Sequence, residues 1–481
     1  MKNTFSLKPL FLLPVLALLA ACGGGGDGNS TTAPTTPTTP TTPAAPTLVS
    51  LALAPAAPTL IVGGTQQMAA TATYSDGKSS ALTAGITWSV KGSNLTVSTA
   101  GLVTAKALGS DTVTATVGSV SGSANITIKG QWAAMAAGGR HTVARHLDGN
   151  LYAWGGNLQG QLGDNSTLAR SKPVVVSGAN TTWKQIASGE FHTLALRADG
   201  TLWGWGFNQN GQLGDGTSVN KLVPTKIGTG KWQYIAAGKA HSLGIDDKGF
   251  LWAWGRNVNG QLGDGTVLPR MAPVKIGTDT WTAVAAGDTH SMARRSDGSL
   301  WAWGGNATGQ LGNGDATGAT VLAPVQVGAD SWASVSAGGG HSAAIRADGT
   351  LWTWGDNTAG QLGLNSTVGS AVPVQVLLAG TANNWAVVSA GVKHTLAIRT
   401  DGTLWAWGSN SNGQIGNNTL VDQVAPMQIG TSTGWTLVSA GGQHSIGMML
   451  DNTLWTWGLN ADGQLGNGQT TDQRVPVLVV Q

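Results

Sequence analysis

The chain has 481 residues, more than one ordinary hydrophobic core organises, so several folding units are expected. Only 10% of residues are charged, and 26 basic against 23 acidic side chains leave a net charge of +3. That near balance argues against a nucleic-acid footprint, and a single cysteine excludes an internal disulfide.

Residues 1–21 read as an export signal. Lys2 and Lys8 are basic, and the apolar run from Leu10 to Ala21 is too short to favour a spanning helix. Leu19-Ala20-Ala21-Cys22 resembles the bacterial lipobox. The resemblance implies lipidation at Cys22 and an exported lipoprotein at the outer membrane or cell surface, touching the membrane only through its lipid. Residues 22–47, with Gly23 to Gly26 and a Thr/Pro tract from Ser30 to Thr47, cannot bury a core and predict an extended tether.

From residue 48 to 130 the pattern turns to short alternating strands, at Leu51 to Leu53, Gln67 to Thr73, Ile86 to Val90, Thr112 to Val117 and Ala124 to Ile128. Gly63-Gly64, Asp76-Gly77 and Gly101 punctuate them as turns, which predicts a small β-sandwich. Val62 to Gln66, Ala70 to Gly77, Thr87-Trp88, Ala100 to Thr104 and Ala124 to Ile128 together resemble the bacterial immunoglobulin-like domain of group 2. The resemblance implies a spacer, with Trp88 as its core aromatic.

Residues 131–481 hold 20 of the 21 tryptophans and repeat one phrase seven times. Each copy opens on a tryptophan (Trp132, Trp183, Trp232, Trp281, Trp332, Trp385, Trp435) and carries a histidine nine residues later. A second fixed tryptophan and then Gly-Gln-Leu-Gly follow without insertion; Ile415 replaces the Leu once. Alternation on both sides of Asp-Gly, as in His192 to Arg197 and Leu202 to Trp205, predicts a hairpin whose two turn residues have positive φ. The Trp-x-x-Ile-Ala-Ala-Gly run adds a third strand, and a Pro-x-x-Val element such as Pro224 to Ile227 adds a fourth. Four short strands per copy predict an all-β chain: a seven-bladed β-propeller preceded by the immunoglobulin-like sandwich. The spare strand Arg474 to Val480 is expected to close the ring by joining blade one. These motifs resemble the regulator of chromosome condensation repeat family. Tyr152, Lys248 and Asn452 are small departures from its pattern.

His141, His192, His241, His290, His341, His394 and His444 occur once per blade, which marks a structural part that hydrogen-bonds its own turn, not a metal site. Asp164, Asp215 and Asp264 are single carboxylates at turns, too few for calcium. No nucleophile motif, paired acids or phosphate loop is present, so neither catalysis nor a cofactor is expected. Recognition is expected at positions that differ between copies, the pair inside Gly-x-x-His and the residue after Trp-Gly. Blade one offers Arg140; blade two Glu190, Phe191 and Phe207; blade three Lys239 and Arg256. Later blades offer Asp288, Asp356, Lys393, Gln443 and Leu459. Two of the five phenylalanines thus stand in blade two beside Arg and Lys, the pairing that interface hot spots favour.

The expected function is a monomeric, surface-anchored module that binds a protein. Resemblance also admits an enzyme inhibitor like the propeller inhibitor of β-lactamase, a glycan reader, or nucleotide exchange on a small GTPase. The last implies a protrusion on one blade, and the copies here share one length from Trp through Gly-Gln-Leu-Gly.

Overall fold

The computed structural model describes residues 44–107, 109–178, 182–378 and 384–479. The signal, Cys22 and most of the tether lie outside the described residues. Among the described residues every regular element is a strand, and no helix is long and apolar enough to cross a membrane.

Ten strands build the N-terminal unit: β1 (Leu48–Ala54), β2 (Thr59–Ile61), β3 (Thr65–Gln67), β4 (Ala69–Tyr74), β5 (Ser79–Leu82), β6 (Thr87–Lys91), β7 (Leu95–Val97), β8 (Leu102–Ala105), β9 (Gly109–Val117) and β10 (Val120–Lys129). They pair as β1-β4-β5, β2-β10-β9-β6 and β3-β8-β7 around a core that includes Leu53, Met68, Val113 and Ile126. The segment expected as one strand from Gln67 is broken at Met68, whose side chain turns into the core at 2% exposure. Trp88 packs on the edge of that core over Gly101, where a Cβ would lie 2.8 Å from its ring. The buried Asp111 carboxylate accepts the N–H groups of Asn94 (2.7 Å) and Leu95 (3.2 Å) and holds the β6–β7 turn.

The seven repeats form seven four-stranded blades. Blade one comprises β11 (Trp132–Ala137), β12 (His141–His146), β13 (Leu151–Gly155) and β14 (Arg170–Val175), paired antiparallel in that order. First strands of neighbouring blades touch, so they are innermost and the Pro-containing fourth strands form the rim. Blades three and four share one continuous strand, Arg270–Ala286, the rim of one and the inner strand of the next.

The hairpin differs from expectation in its turn. Only the glycine of Asp-Gly has positive φ, as Gly200 at 82°, and Gly200 N–H bonds to Arg197 C=O (2.9 Å) as in a type I turn with a bulge. Asp199 caps the turn by accepting both the backbone N–H and the hydroxyl of Thr201. Asn452 takes the glycine's place in blade seven at φ 62°, which asparagine tolerates.

Ring closure also differs. The last strand, Gln473–Leu478, pairs with Leu454–Gly458 of blade seven and not with blade one, because each blade draws all four strands from its own repeat. The ring closes through side chains instead. Trp132 and Trp154 of blade one share a core with Ile446, Met448 and Leu454 of blade seven, as neighbouring blades do elsewhere in the ring.

Replacing Asp111 by Ala leaves two backbone donors without their acceptor, at about 1–3 kcal/mol per buried group. Thermal unfolding of the N-terminal unit should shift down by several degrees. The near-ultraviolet signal of the blades' tryptophans should melt where it does in the parent chain.

Candidate functional site

The invariant letters of the repeat are consumed between blades. Each histidine lies fully buried with Nε2 2.9–3.1 Å from the hydroxyl that follows the histidine of the next blade: His141 to Thr193, His192 to Ser242, His241 to Ser291, His290 to Ser342, His341 to Thr395, His394 to Ser445 and His444 back to Thr142. This corrects the expectation that each ring serves its own turn. The hydroxyl's one proton goes to a Gly-Gln-Leu-Gly glutamine carbonyl of the blade before it, for example Ser291 to Gln261 at 2.7 Å. The imidazole must therefore donate through Nε2–H. The same carbonyl accepts Trp303 Nε1–H at 2.9 Å, and this relay recurs at all seven interfaces.

The glycine of Gly-x-x-His serves the ring as well. A Cβ on Gly287 would lie 2.4 Å from His290 Cε1, so glycine is needed there to leave room for the imidazole. Among the described residues no three His, Cys, Asp or Glu side chains stand close enough to hold one metal. Asp164 is likewise engaged. Burial pushes its carboxyl up, but hydrogen bonds from Ser166, Arg170 and Asn157 outweigh that and hold it below the usual range.

The variable letters gather on one face, and the backbone puts them there. The N–H after each Trp-Gly donates to the carbonyl just before each histidine, as Phe207 to Phe191 and Arg256 to Ala240. The same bond joins Asp356 to Gly340, Ser409 to Lys393 and Leu459 to Gln443, at 2.8–2.9 Å. Because these are main-chain bonds, the side chains at both positions are free to vary.

At the centre of this face lies a depression of about 450 Å³, with Ala-Gly and Ser-Gly pairs of the inner strands at its throat. Arg140, Glu190, Phe191, Lys239, Asp288 and Lys393 line its mouth together with Gln443. Phe207, Arg256, Asp356 and Leu459 do not line it. Phe207 meets Phe191 edge to face, with ring centres 6.5 Å apart, and both rings are half-buried.

Charges cross the blades here. Lys239 Nζ stands 3.9 Å from Glu190 and 3.6 Å from Asp288, and Arg140 bonds Asp462 at 3.2 Å. Burial raises the carboxyls of Glu190 and Asp288, with Lys239 opposing the rise in both. Val392 and Ser409, which occupy the variable positions of blade six without having been singled out, also stand at the mouth, and sequence reasoning missed Asp462 beside it. It also missed the exposed Leu158, Leu168, Val219, Val258 and Leu268 on the surrounding loops. Those loops run from third to fourth strand at this face, and the apolar residues that differ from copy to copy within them were the available signal.

The architecture is a closed seven-bladed β-propeller with an invariant frame and a variable central face. Residues 84–329 match the RCC1-like domain, and residues 348–398, 401–448 and 451–481 match the regulator of chromosome condensation (RCC1) repeat. The chain belongs to the regulator of chromosome condensation repeat family. It is 32% identical over 297 residues to the ultraviolet-B receptor UVR8 of Arabidopsis thaliana, covering 61% of this chain and 56% of that protein. It is 29% identical over 288 residues to the human E3 ubiquitin-protein ligase HERC2, covering 60% of this chain and 5% of the ligase. The chain thus spans little more than half of the first relative and a small part of the second. Among solved structures, Prp20p of Saccharomyces cerevisiae aligns with a TM-score of 0.63 at 23% identity, over 69% of this chain and 86% of that one. Human WBSCR16 aligns at 0.59 and 24%, over 66% and 86%. Both share the fold.

The buried ring predicts acid sensitivity. Burial lowers His141, His192, His241, His290 and His394 to about 3 and His341 and His444 to about 4, from 6.5. Below pH 6.5 the unfolded chain binds protons that the folded chain refuses. Stability present above that pH is therefore lost as pH falls, by up to about 1.4 kcal/mol per unit for each histidine. Circular dichroism should show cooperative unfolding complete before pH 4. In urea titrations His290→Gln should lessen the slope of stability against pH by about 1.4 kcal/mol per unit; a flat profile from pH 7 to 4.5 contradicts the scheme.

Proposed function

We propose that the chain is an exported, lipid-anchored binding module, non-enzymatic, whose propeller takes a protein partner on the face bearing the central depression. The observation that carries this reading is the convergence of the variable positions of seven blades onto one rim, while the invariant positions are spent on the frame. A half-buried aromatic pair between Arg140, Lys239 and Arg256 supplies the rigid apolar and cationic contacts that protein interfaces concentrate. A protein of this fold also binds other proteins: Prp20p has binding properties toward Gsp1p and histones, and its complex with Kap60 has been solved.

In this reading residues 48–130 are an immunoglobulin-like spacer, residues 22–47 a tether, and Cys22 the anchor. An inhibitor that caps a soluble enzyme would use the same face, so the identity of the captured protein separates adhesion from inhibition. Nucleotide exchange has less support, since every copy has one length from its first Trp through Gly-Gln-Leu-Gly and none adds a wedge.

A photo-crosslinking residue at position 207, introduced in intact cells, should give adducts with a discrete protein. The same residue at position 297, in an Asp-Gly turn on the opposite face, should give none. Replacing Phe191 together with Phe207 by Ala should abolish adducts formed from position 239 while the melting temperature stays within a few degrees. Adducts from 297 alone would refute the assignment of the face. Separately, Cys22→Ser should move the protein from the membrane fraction to the soluble fraction, and retention in the membrane fraction removes the anchor.

A further inference from the structure

The seven copies allow the outer wall of each blade to be compared with six controls. Five residues past the histidine the chain carries His146, Arg197, Asp246, Arg295, Arg346 and Arg399 in blades one to six, and Met449 in blade seven. In four of these blades the polar occupant engages the outer tryptophan. Arg197, Arg295 and Arg346 lay their guanidinium groups 3.7, 3.8 and 3.5 Å from the ring centres of Trp203, Trp301 and Trp352. Asp246 accepts Trp252 Nε1–H at 2.9 Å.

Blade seven has a thioether there, and a groove of about 670 Å³ stands open between blades six and seven. Trp435, Trp455, Met427, Met449, Val475 and Pro476 form its walls, and no charged side chain lines it. Met427 is 39% and Val475 41% exposed. Two polar side chains around it are engaged: Trp455 Nε1–H donates to Thr453 Oγ1, and Gln428 Nε2 to Gly430 C=O. The surface on offer is uncharged, aromatic and thioether-rich. Such a surface suits proline rings presented on an extended backbone that has no internal hydrogen bonds to lose.

The chain contains such a segment. Pro34, Pro37, Pro40, Pro43 and Pro46 recur every third residue, and residues 30–47 carry no charge. A polyproline helix has three residues per turn, so this spacing would align all five rings along one edge and the threonines and alanines along the other two.

Placement and length agree. The N-terminal unit joins the propeller beside the groove, where Gly130 N–H bonds Asp451 C=O (2.6 Å), two residues beyond Met449. At the other end, Leu51 lies against Gly122 in β10. From Gly122 to Gly130 is about 27 Å of strand, and residues 30–47 span about 56 Å as polyproline.

We propose that the groove between blades six and seven binds the chain's own proline-repeat tether, folded back along the N-terminal unit. Docked, the tether holds the propeller close to its anchor; released, it lets the propeller extend. This does not depend on the partner face proposed above, which opens on the central axis and not on the outer wall.

The test compares the full chain with a variant in which the five prolines are replaced by Ser, exposing both to dilute hydrogen peroxide and reading methionine oxidation by mass spectrometry. Met427 and Met449 should oxidise several-fold faster in the variant, while Met271, 37% exposed in blade three, keeps its rate. A synthetic peptide of residues 30–47 should restore the protection. Met449→Arg, which installs the residue other blades accept, should make Met427 oxidise at one rate with or without the prolines. Equal rates in parent and variant overturn the proposal, as does protection that survives Met449→Arg. Protection that appears only at high protein concentration also overturns it, because the groove would then be reading a second copy.

Discussion

Everything in the propeller depends on one inter-blade relay, in which a buried imidazole donates to a hydroxyl, the hydroxyl to a glutamine carbonyl, and a tryptophan indole to the same carbonyl. Each blade supplies a histidine facing forward and a carbonyl that receives from the blade ahead. Such a unit has unsatisfied groups at both ends, and burying them unpaired is expensive. A closed ring pairs all of them, and the bond from His444 to Thr142 completes it at the seam. The closure needs no strand exchange, because the seam is chemically the same as the other six interfaces.

The relay also explains how one frame carries a varied face. Invariant side chains lie within the interfaces, while the face is held by bonds between main-chain groups, which any residue can make. Arg140, Glu190, Lys239 and Asp288 therefore vary at little cost to the frame. With Asp462 they have become an arc of alternating charge that crosses blade boundaries.

Departures from the repeat are compensated locally. Lys248 stands where other hairpin turns have Asp, and Asp246 takes over by accepting the N–H groups of Lys248 and Phe250. Tyr152 replaces the outer indole in blade one, and its ring meets Trp132 edge to face beside His146. Met449 has no such polar replacement, and there the wall of the propeller opens.

Much of the fold was legible because a hairpin, a turn glycine and an alternating strand are local, and seven copies repeated the message. Gly200 and the Asn residues that stand for glycine, such as Asn165, Asn365 and Asn418, follow from the φ each turn requires. The N-terminal strands were less legible, since Thr59–Ile61 and Leu95–Val97 are too short to show a period. The variable face could be assembled from the hairpin's direction alone, which is why Arg140, Phe191 and Lys239 were identifiable without coordinates. Asp462 was not, because its partner Arg140 comes from another blade.

What the amino-acid order determined by itself is the unit, its count and the face that varies, all consequences of periods shorter than one repeat. Where each histidine sends its proton, which blade owns the last strand, and that a wall opens between blades six and seven were decided only by tertiary structure. Those outcomes depend on atoms brought together from some fifty residues away, or from opposite ends of the ring, and no local pattern encodes such distances.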